Sequence, residues 1–273
     1  MHSATVLIVL QKEEYMFDSS AYVHVPVCEL AVCNDEYFNS FKSDSYFTTI
    51  LEHTSEEFSR SFLHRAINEY QDKINLIDWN KVSENDSVGN PILLEYPEVP
   101  SDNKLFSPST IAYVFKALEI LQHMKESRLN NLDVLEIGGG YGGQCKMVVD
   151  LAPLFDVDIN SYTLIDLYWP NELQRKYLEN LGYTDKIKYF SYEELRDDNV
   201  KIPPFNYLIS IYALGEFMPE VQQFYVDKMV SFPYHYLVWN TPQIHERFLL
   251  SDIEEERPRT GPFNLLIKSK VKE

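Results

Sequence analysis

Five of the chain's nine glycines fall within six positions, at Gly138, Gly139, Gly140, Gly142 and Gly143. A chain so sparing of glycine elsewhere needs left-handed backbone, or backbone approached too closely for a Cβ, at this one place. An ordinary strand-to-helix turn is satisfied by one or two glycines. The run Val134-Leu135-Glu136-Ile137 before it reads as a short buried strand. Residues 144–155 after it carry Cys145, Val148, Val149, Ala152 and Phe155 as one helical stripe. Strand, glycine-rich turn and helix, in that order, hold an adenosine-bearing cofactor at the carboxyl edge of a parallel sheet.

Two cofactor classes compete for such a turn. Gly138, Gly140 and Gly143 satisfy G-x-G-x-x-G, which suits NAD or FAD, but that pattern alone is unspecific. Glu136, two positions before the first glycine, favours S-adenosylmethionine. That ligand has no pyrophosphate, and its amino group and sulfonium are both positive, so a carboxylate attracts both. Asp166 closes the next apolar run, 23 residues after Gly143, where an acid can accept hydrogen bonds from ribose hydroxyls. A helix-capping role is the alternative for Asp166. Tyr192 follows a third run, Ile187–Phe190, at the place where an aromatic ring could stack on adenine.

The remaining C-terminal half alternates strand and helix, as a doubly wound α/β domain should. Leu173, Tyr177, Leu178 and Leu181 mark a helix stopped by Gly182. Tyr207–Ile211 is a strand buried on both faces, Pro219 opens a helix, and Tyr234–Trp239 and Phe263–Ile267 supply the last strands. The N-terminal part differs. Residues 28–80 read as a small helical cap whose clearest helix starts at Ser55, with Glu56 and Glu57 in its first turn and Phe58, Phe62, Ala66 and Tyr70 on one face. Thr5–Leu10 reads as an edge strand, and Ala21–Val27 as a strand interrupted by Pro26. Residues 81–107, with Pro91, Pro97 and Pro100, read as a long polar connection of the lid or linker kind, before Ser107-Pro108 caps a new helix. The expected division is a mainly helical cap and substrate region over residues 1–106 and a cofactor domain over 107–273.

The net charge of −18 argues against duplex nucleic acid and anionic membrane surfaces as partners. Three cysteines, Cys28, Cys33 and Cys145, match no zinc spacing and suit a reducing compartment. No run approaches a membrane span, so a soluble, cytoplasmic protein is expected, with a homo-oligomer left open.

The fourth strand leads into Ser210-Ile-Tyr-Ala-Leu-Gly-Glu216, on the side where a transferred group would meet its acceptor. Glu216 is the first candidate general base, since a carboxylate in hydrogen-bond reach can take a hydroxyl proton. Its alternative is to cap the helix at Pro219. His53 and His245 are reserve bases, and no essential metal is expected.

Several segments together resemble the sugar O-methyltransferases, class I S-adenosylmethionine-dependent enzymes of glycan and lipopolysaccharide biosynthesis. They are Phe41-Lys42 with Tyr46 and Ile50-Leu-Glu-His53; Asp86 with Gly89-Asn90-Pro91; Ser107-Pro-Ser-Thr110 with Tyr113; Glu136 to Gly143; Ile165-Asp-Leu167; Ser210 with Tyr212-Ala213 and Glu216; Tyr225; and Trp239-Asn240. The resemblance spans most of the chain. It implies a Rossmann-like doubly wound sheet behind a helical cap, and S-adenosylmethionine held by Glu136, Gly138, Gly139, Gly140, Tyr141, Gly142, Asp166, Leu167 and Ser210, beside the Tyr192 read above from its place after the third run. It also implies a sugar hydroxyl acceptor, free, nucleotide-linked or within a glycan, contacted by Asn90, Thr110, Tyr113, Tyr212 and Asn240. Ile211 and Gly215 depart from the family, which more often has Asn and Ser there; both flank the expected acceptor site. The competing expectations are methyl transfer to another small hydroxylated or amino acceptor, and a non-catalytic cofactor-binding module.

Overall fold

The computed structural model describes residues 21–52, 54–129, 131–229 and 234–271. The expected strand Thr5–Leu10 lies outside them. The first described element is a helix, α1 (Ala21–Cys33), and not the expected strand. Pro26 removes one backbone hydrogen bond from it. Burial decides the outcome: Val27, Cys28 and Ala31 lie on one helical face in the core, and Lys176 donates to the terminal carbonyls of Ala31 and Val32 at 3.1 and 3.0 Å.

Short helices α2 (Asp35–Phe38) and α3 (Ser45–Ile50) lead to α4 (Glu56–Glu69), where the Ser55 hydroxyl accepts from Phe58 N at 3.2 Å. Helices α5 (Gln71–Ile74) and α6 (Trp79–Ser83) follow. The stretch expected to be an open connection is built. A 3-10 turn at Glu84–Asp86 precedes a small hairpin, β1 (Leu94–Glu95) and β2 (Leu105–Phe106), anchored by the buried side chains of Tyr96, Val99 and Phe106. These anchors follow no helical or strand period, so the sequence pattern conceals them.

Helix α7 (Pro108–Ser127) starts as its sequence dictates, with Pro108 in the first turn and the Ser107 hydroxyl accepting from Thr110 N at 3.1 Å. Then come β3 (Leu132–Ile137), α8 (Gly143–Leu151), β4 (Ile159–Asp166), α9 (Tyr168–Asn180), β5 (Ile187–Ser191) and α10 (Tyr192–Leu195). The chain ends with β6 (Tyr207–Ile211), α11 (Pro219–Lys228), β7 (Tyr234–Trp239), β8 (Asp252–Glu255) and β9 (Leu265–Lys268). The expected final strand is thus β9, and β8, exposed along its length, gave no apolar signal.

The large sheet runs β5-β4-β3-β6-β7-β9-β8. Pairs among the first five strands are parallel, and β9 is antiparallel to both neighbours. This is the Rossmann-like order of class I methyltransferases. Successive strand residues face opposite sides. Val134, Leu164, Ile209 and Val238 join the core beneath α7, α8, α9 and the N-terminal helices, while Leu135, Ile165, Leu208 and Leu237 join the core beneath α10 and α11. The chain proceeds outward from β3 through β4 and β5, then crosses to β6, so a crevice opens at the carboxyl ends of β3 and β6. Among the described residues no helix is long and apolar enough to cross a membrane.

Phe115 joins the cap helices to α7: it is fully buried and stacks on Phe62 at 5.3 Å. Phe115→Ala is expected to lower unfolding free energy by about 3–5 kcal/mol. Urea denaturation should show a lower midpoint at unchanged slope.

Candidate active site

The loop after β3 bends into the crevice. Gly138 has φ +74°, and a Cβ there would lie 2.1 Å from the Ala213 Cβ, so the loops after β3 and β6 touch at this residue. Ser210 reinforces the contact: its hydroxyl donates to the Ile137 carbonyl and accepts from Leu214 N, both at 3.0 Å. A cavity of about 620 Å³ lies over this junction. Its floor includes Gly138, Gly139 and Gly140, and its roof includes Thr49, Ile50 and Leu51 of the cap.

Two acids from the sheet face this space, Glu136 and Asp166. Glu136 is 1 % exposed and accepts from the Tyr162 hydroxyl at 2.6 Å. Burial pushes its carboxyl up to about 7; the tyrosine counteracts this and Asp166 adds to it. Asp166 accepts from Leu167 N and from the Gln174 amide, each at 2.8 Å. Burial still pushes it up to about 7. The Gln174 amide also donates to the Gly140 carbonyl at 3.0 Å, so one fully buried side chain positions both the loop and Asp166. Sequence reasoning missed Gln174. The available signal was a polar residue beside Leu173 on the apolar stripe of α9.

The far end of the cavity is bounded by the turn after β6, by Asn240 after β7, and by the β8–β9 connection. Glu216 accepts from the Asn240 side-chain amide. Tyr212 has φ +60°, and its hydroxyl donates to Glu256. Glu256, 1 % exposed, also accepts from the Thr260 hydroxyl at 2.6 Å and from Asn264 at 3.0 Å, and pairs with the buried Lys116 ammonium at 3.1 Å. Burial opposes both charges, yet the pairing holds the Lys116 ammonium above and the Glu256 carboxyl below their ordinary ranges. Lys116, Glu256, Thr260 and Asn264 were not foreseen. They lie on α7 and a connection with no recognisable motif, and tertiary folding brings them together.

Of the sequence-derived candidates, Glu136, Gly138, Gly139, Gly140, Asp166, Leu167, Tyr113, Tyr212, Glu216 and Asn240 line one cavity. Others are placed elsewhere. Tyr141 is fully buried beneath the loop, among the rings of Phe41, Tyr113 and Tyr177. Gly142, with φ +99°, packs on Leu178. Tyr192 points into the core under α11, against Phe224 at 5.0 Å; Tyr225 reaches the cavity instead. Thr110 is buried, and its hydroxyl donates to Asp86 at 2.7 Å, which fastens the Gly89-Asn90 turn to α7. Asn90 itself is exposed, with φ +52°. His245 lies in a separate surface depression, accepting from Arg247 N at 3.2 Å. Thus Tyr141, Gly142, Tyr192, Ser210, Asn90, Thr110 and His245 are not cavity-lining residues. His53 lies outside the described residues. Among the described residues no group of three His, Cys, Asp or Glu side chains is placed to hold a metal.

No protein-family model matches the chain, and no curated protein matches it. Solved structures with a similar fold include a candidate S-adenosyl-L-methionine-dependent methyltransferase from Methanococcus maripaludis, at 14% identity and TM-score 0.41, the match covering 59% of this chain and 86% of that one. A SAM-dependent methyltransferase from Aquifex aeolicus matches at 15% identity and TM-score 0.39, over 59% and 92%. A candidate tRNA (m1A22) methyltransferase from Streptococcus pneumoniae, in complex with S-adenosyl-L-methionine, matches at 14% and 0.38, over 57% and 74%. At such distances the fold assignment rests on the strand order above and the chemistry on the side chains.

Glu136 gives a stability signature. A carboxyl raised from its ordinary 4.5 to about 7 binds protons more tightly in the folded chain, so folding stability is lost as pH rises between those values. Glu136→Gln removes that cost and keeps an acceptor for Tyr162. At pH 8 it should gain about 3 kcal/mol of unfolding free energy, with a much smaller gain at pH 5, read by denaturant melts of the ligand-free protein.

Proposed function

We propose that this chain is an S-adenosylmethionine-dependent O-methyltransferase whose acceptor is a sugar hydroxyl. The observation that carries the cofactor half is Glu136, a carboxylate buried at the glycine loop that accepts, among the described residues, only from the neutral Tyr162 hydroxyl. Such a group favours a cationic ligand. The donor set fits the cofactor: Glu136 for a positive amino-acid end, Asp166 for a ribose diol, and bare backbone at Gly138 and Gly140 where a ligand must approach closely. When bound, S-adenosylmethionine would supply an electrophilic methyl group.

The chain's own residues supply the rest. Glu216, oriented by Asn240, would take the proton of the acceptor hydroxyl as that oxygen becomes a nucleophile. Tyr212 and Asn240 would orient the acceptor. The cap residues Ile50, Leu51 and Phe58 would exclude water, and most of the rate gain would come from this positioning. The sugar half rests on the segment resemblance together with a hydroxyl-compatible base and polar wall. An amine acceptor is the second reading, favoured by the carboxylates that line the cavity.

The Glu136 carboxyl is pushed up to about 7, and the positive amino-acid end it would face needs it ionised. S-adenosylmethionine affinity should therefore rise with pH, by about tenfold between pH 6 and pH 8, and then level off. Calorimetry should record proton release at pH 6.5 and no comparable affinity for NAD. A pH-independent affinity, or tighter NAD binding, would refute the assignment. Glu216→Gln should bind the cofactor within about twofold of the parent and lose about 10²–10⁴ in kcat, measured by transfer of a labelled methyl group.

A further inference from the structure

The far end of the cavity presents hydrogen-bond acceptors. Tyr212, Thr260 and Asn264 each direct a donor toward Glu256. Thr260 Oγ1 also accepts from the Asn264 amide at 2.7 Å and lies 3.2 Å from the Tyr212 hydroxyl, so what the three can still offer a ligand is a second Thr260 lone pair, the Tyr212 hydroxyl oxygen and Asn264 Oδ1. The Asn240 side-chain amide donates to Glu216 and to the Tyr212 carbonyl at 3.5 Å, which fixes its orientation: a flipped amide would set oxygen against carboxylate. Its Oδ1 is left buried with no partner among the described residues. Gln144, whose amide donates to the Tyr113 carbonyl at 3.3 Å, likewise leaves its Oε1 buried and unpartnered. Both orphaned atoms on this cavity wall are acceptors, and a buried acceptor requires a donor.

Charge gives the same direction independently. Glu136, Asp166 and Glu216 line the cavity, and the only lysine or arginine among its described lining residues is Lys116. That ammonium is already held between Glu256 at 3.1 Å and Glu119 at 3.4 Å, and lies 5.4 Å from the centre of the Phe62 ring. An anion could engage it only by disrupting a buried ion pair and approaching Glu256.

We infer that the acceptor bears no phosphate, sulfate or carboxylate and is held through its own hydroxyl or ammonium donors by a polar subsite made of Asn240, Tyr212, Thr260 and Asn264 around Glu256. This rests on the reading of the cavity as a methyl-transfer site. It separates free or glycosidic sugars and amino sugars from nucleotide sugars, whose diphosphate brings negative charge and no donors.

The test uses the full chain with labelled S-adenosylmethionine and matched forms of the same sugars: methyl glycoside, amino sugar, uronate, sugar 1-phosphate and nucleotide-diphosphate sugar. The uncharged or amino form should be methylated with kcat/KM at least tenfold above its phosphorylated and uronate counterparts. Thr260→Val should raise KM for that form at least fivefold while cofactor Kd stays within twofold, and Glu256→Gln, which loosens the hold on Lys116, should narrow the discrimination. Equal or preferential turnover of the phosphorylated forms would overturn the inference and leave the methyltransferase reading intact. Cofactor binding without transfer to any form would overturn the sugar reading and the inference together. Because Thr260 lies at the rim of the network, its variant reports even if Glu256→Gln fails to fold.

Discussion

Glu136 is held at the end of a central strand with 1 % of its surface exposed and one neutral donor, the Tyr162 hydroxyl, on its Oε2. A carboxylate in such a place is destabilising until something positive stands beside it. Much around it serves that condition. The glycines keep backbone rather than side chains in front of it, and the sheet order opens the crevice there. The cap roofs the space, which reduces competition from water and strengthens any charge interaction within it. Asp166 adds a second acid nearby with no cation among its hydrogen-bond partners, Leu167 N and Gln174, so this end of the cavity, where we propose the cofactor, is electrostatically incomplete.

The cap is bound to that loop more closely than a hinged lid would be. Tyr141, inside the glycine run, turns away from the cavity and sits among Phe41, Tyr113 and Tyr177, with the buried Lys42 ammonium 4.1 Å from its ring centre. Its hydroxyl accepts from Asn85, which also donates to Thr110 at 2.6 Å and accepts from Tyr177 at 2.6 Å. Burial lowers Lys42 to about 8, with Glu52 and Asp86 holding it up. Displacing the loop would disturb a lysine, an asparagine and three rings at once. The residues that resemble a family motif before α7 therefore act on the cavity indirectly, by fixing the loop from behind.

This explains what could and could not be read from the sequence. The strands, α4, α7 and the glycine turn announce themselves through local signals: period-two or helical stripes, Ser caps, and glycine density. Glu136, Asp166 and Glu216 were legible because strand ends determine where their side chains go. The side-chain direction of Tyr141 was not legible, because its ring is held by Phe41, Tyr113 and Tyr177, which are distant in sequence. The direction of Tyr192 was not legible either, since a capping box at Ser191 starts α10 and the ring packs against Phe224. Gln174, Lys116 and Glu256 became visible only in three dimensions, because each acts through a partner distant in sequence.

The two ends of the cavity meet at Tyr212, whose φ of +60° is uncommon for a bulky residue and costs on the order of 1–3 kcal/mol. Three contacts hold it there: its N–H donates to Val238 O at 3.0 Å, its hydroxyl donates to Glu256, and Ala213 presses on Gly138. Relaxing Tyr212 to an ordinary strand conformation would swing the phenol away from Glu256 and move Ala213 out of the glycine bend. The same distortion thus closes the floor under the Glu136 loop and aims a side chain at the far end of the cavity. A single strained residue couples the geometry of the two ends of the cavity, a coupling that the in-line transfer proposed above would use.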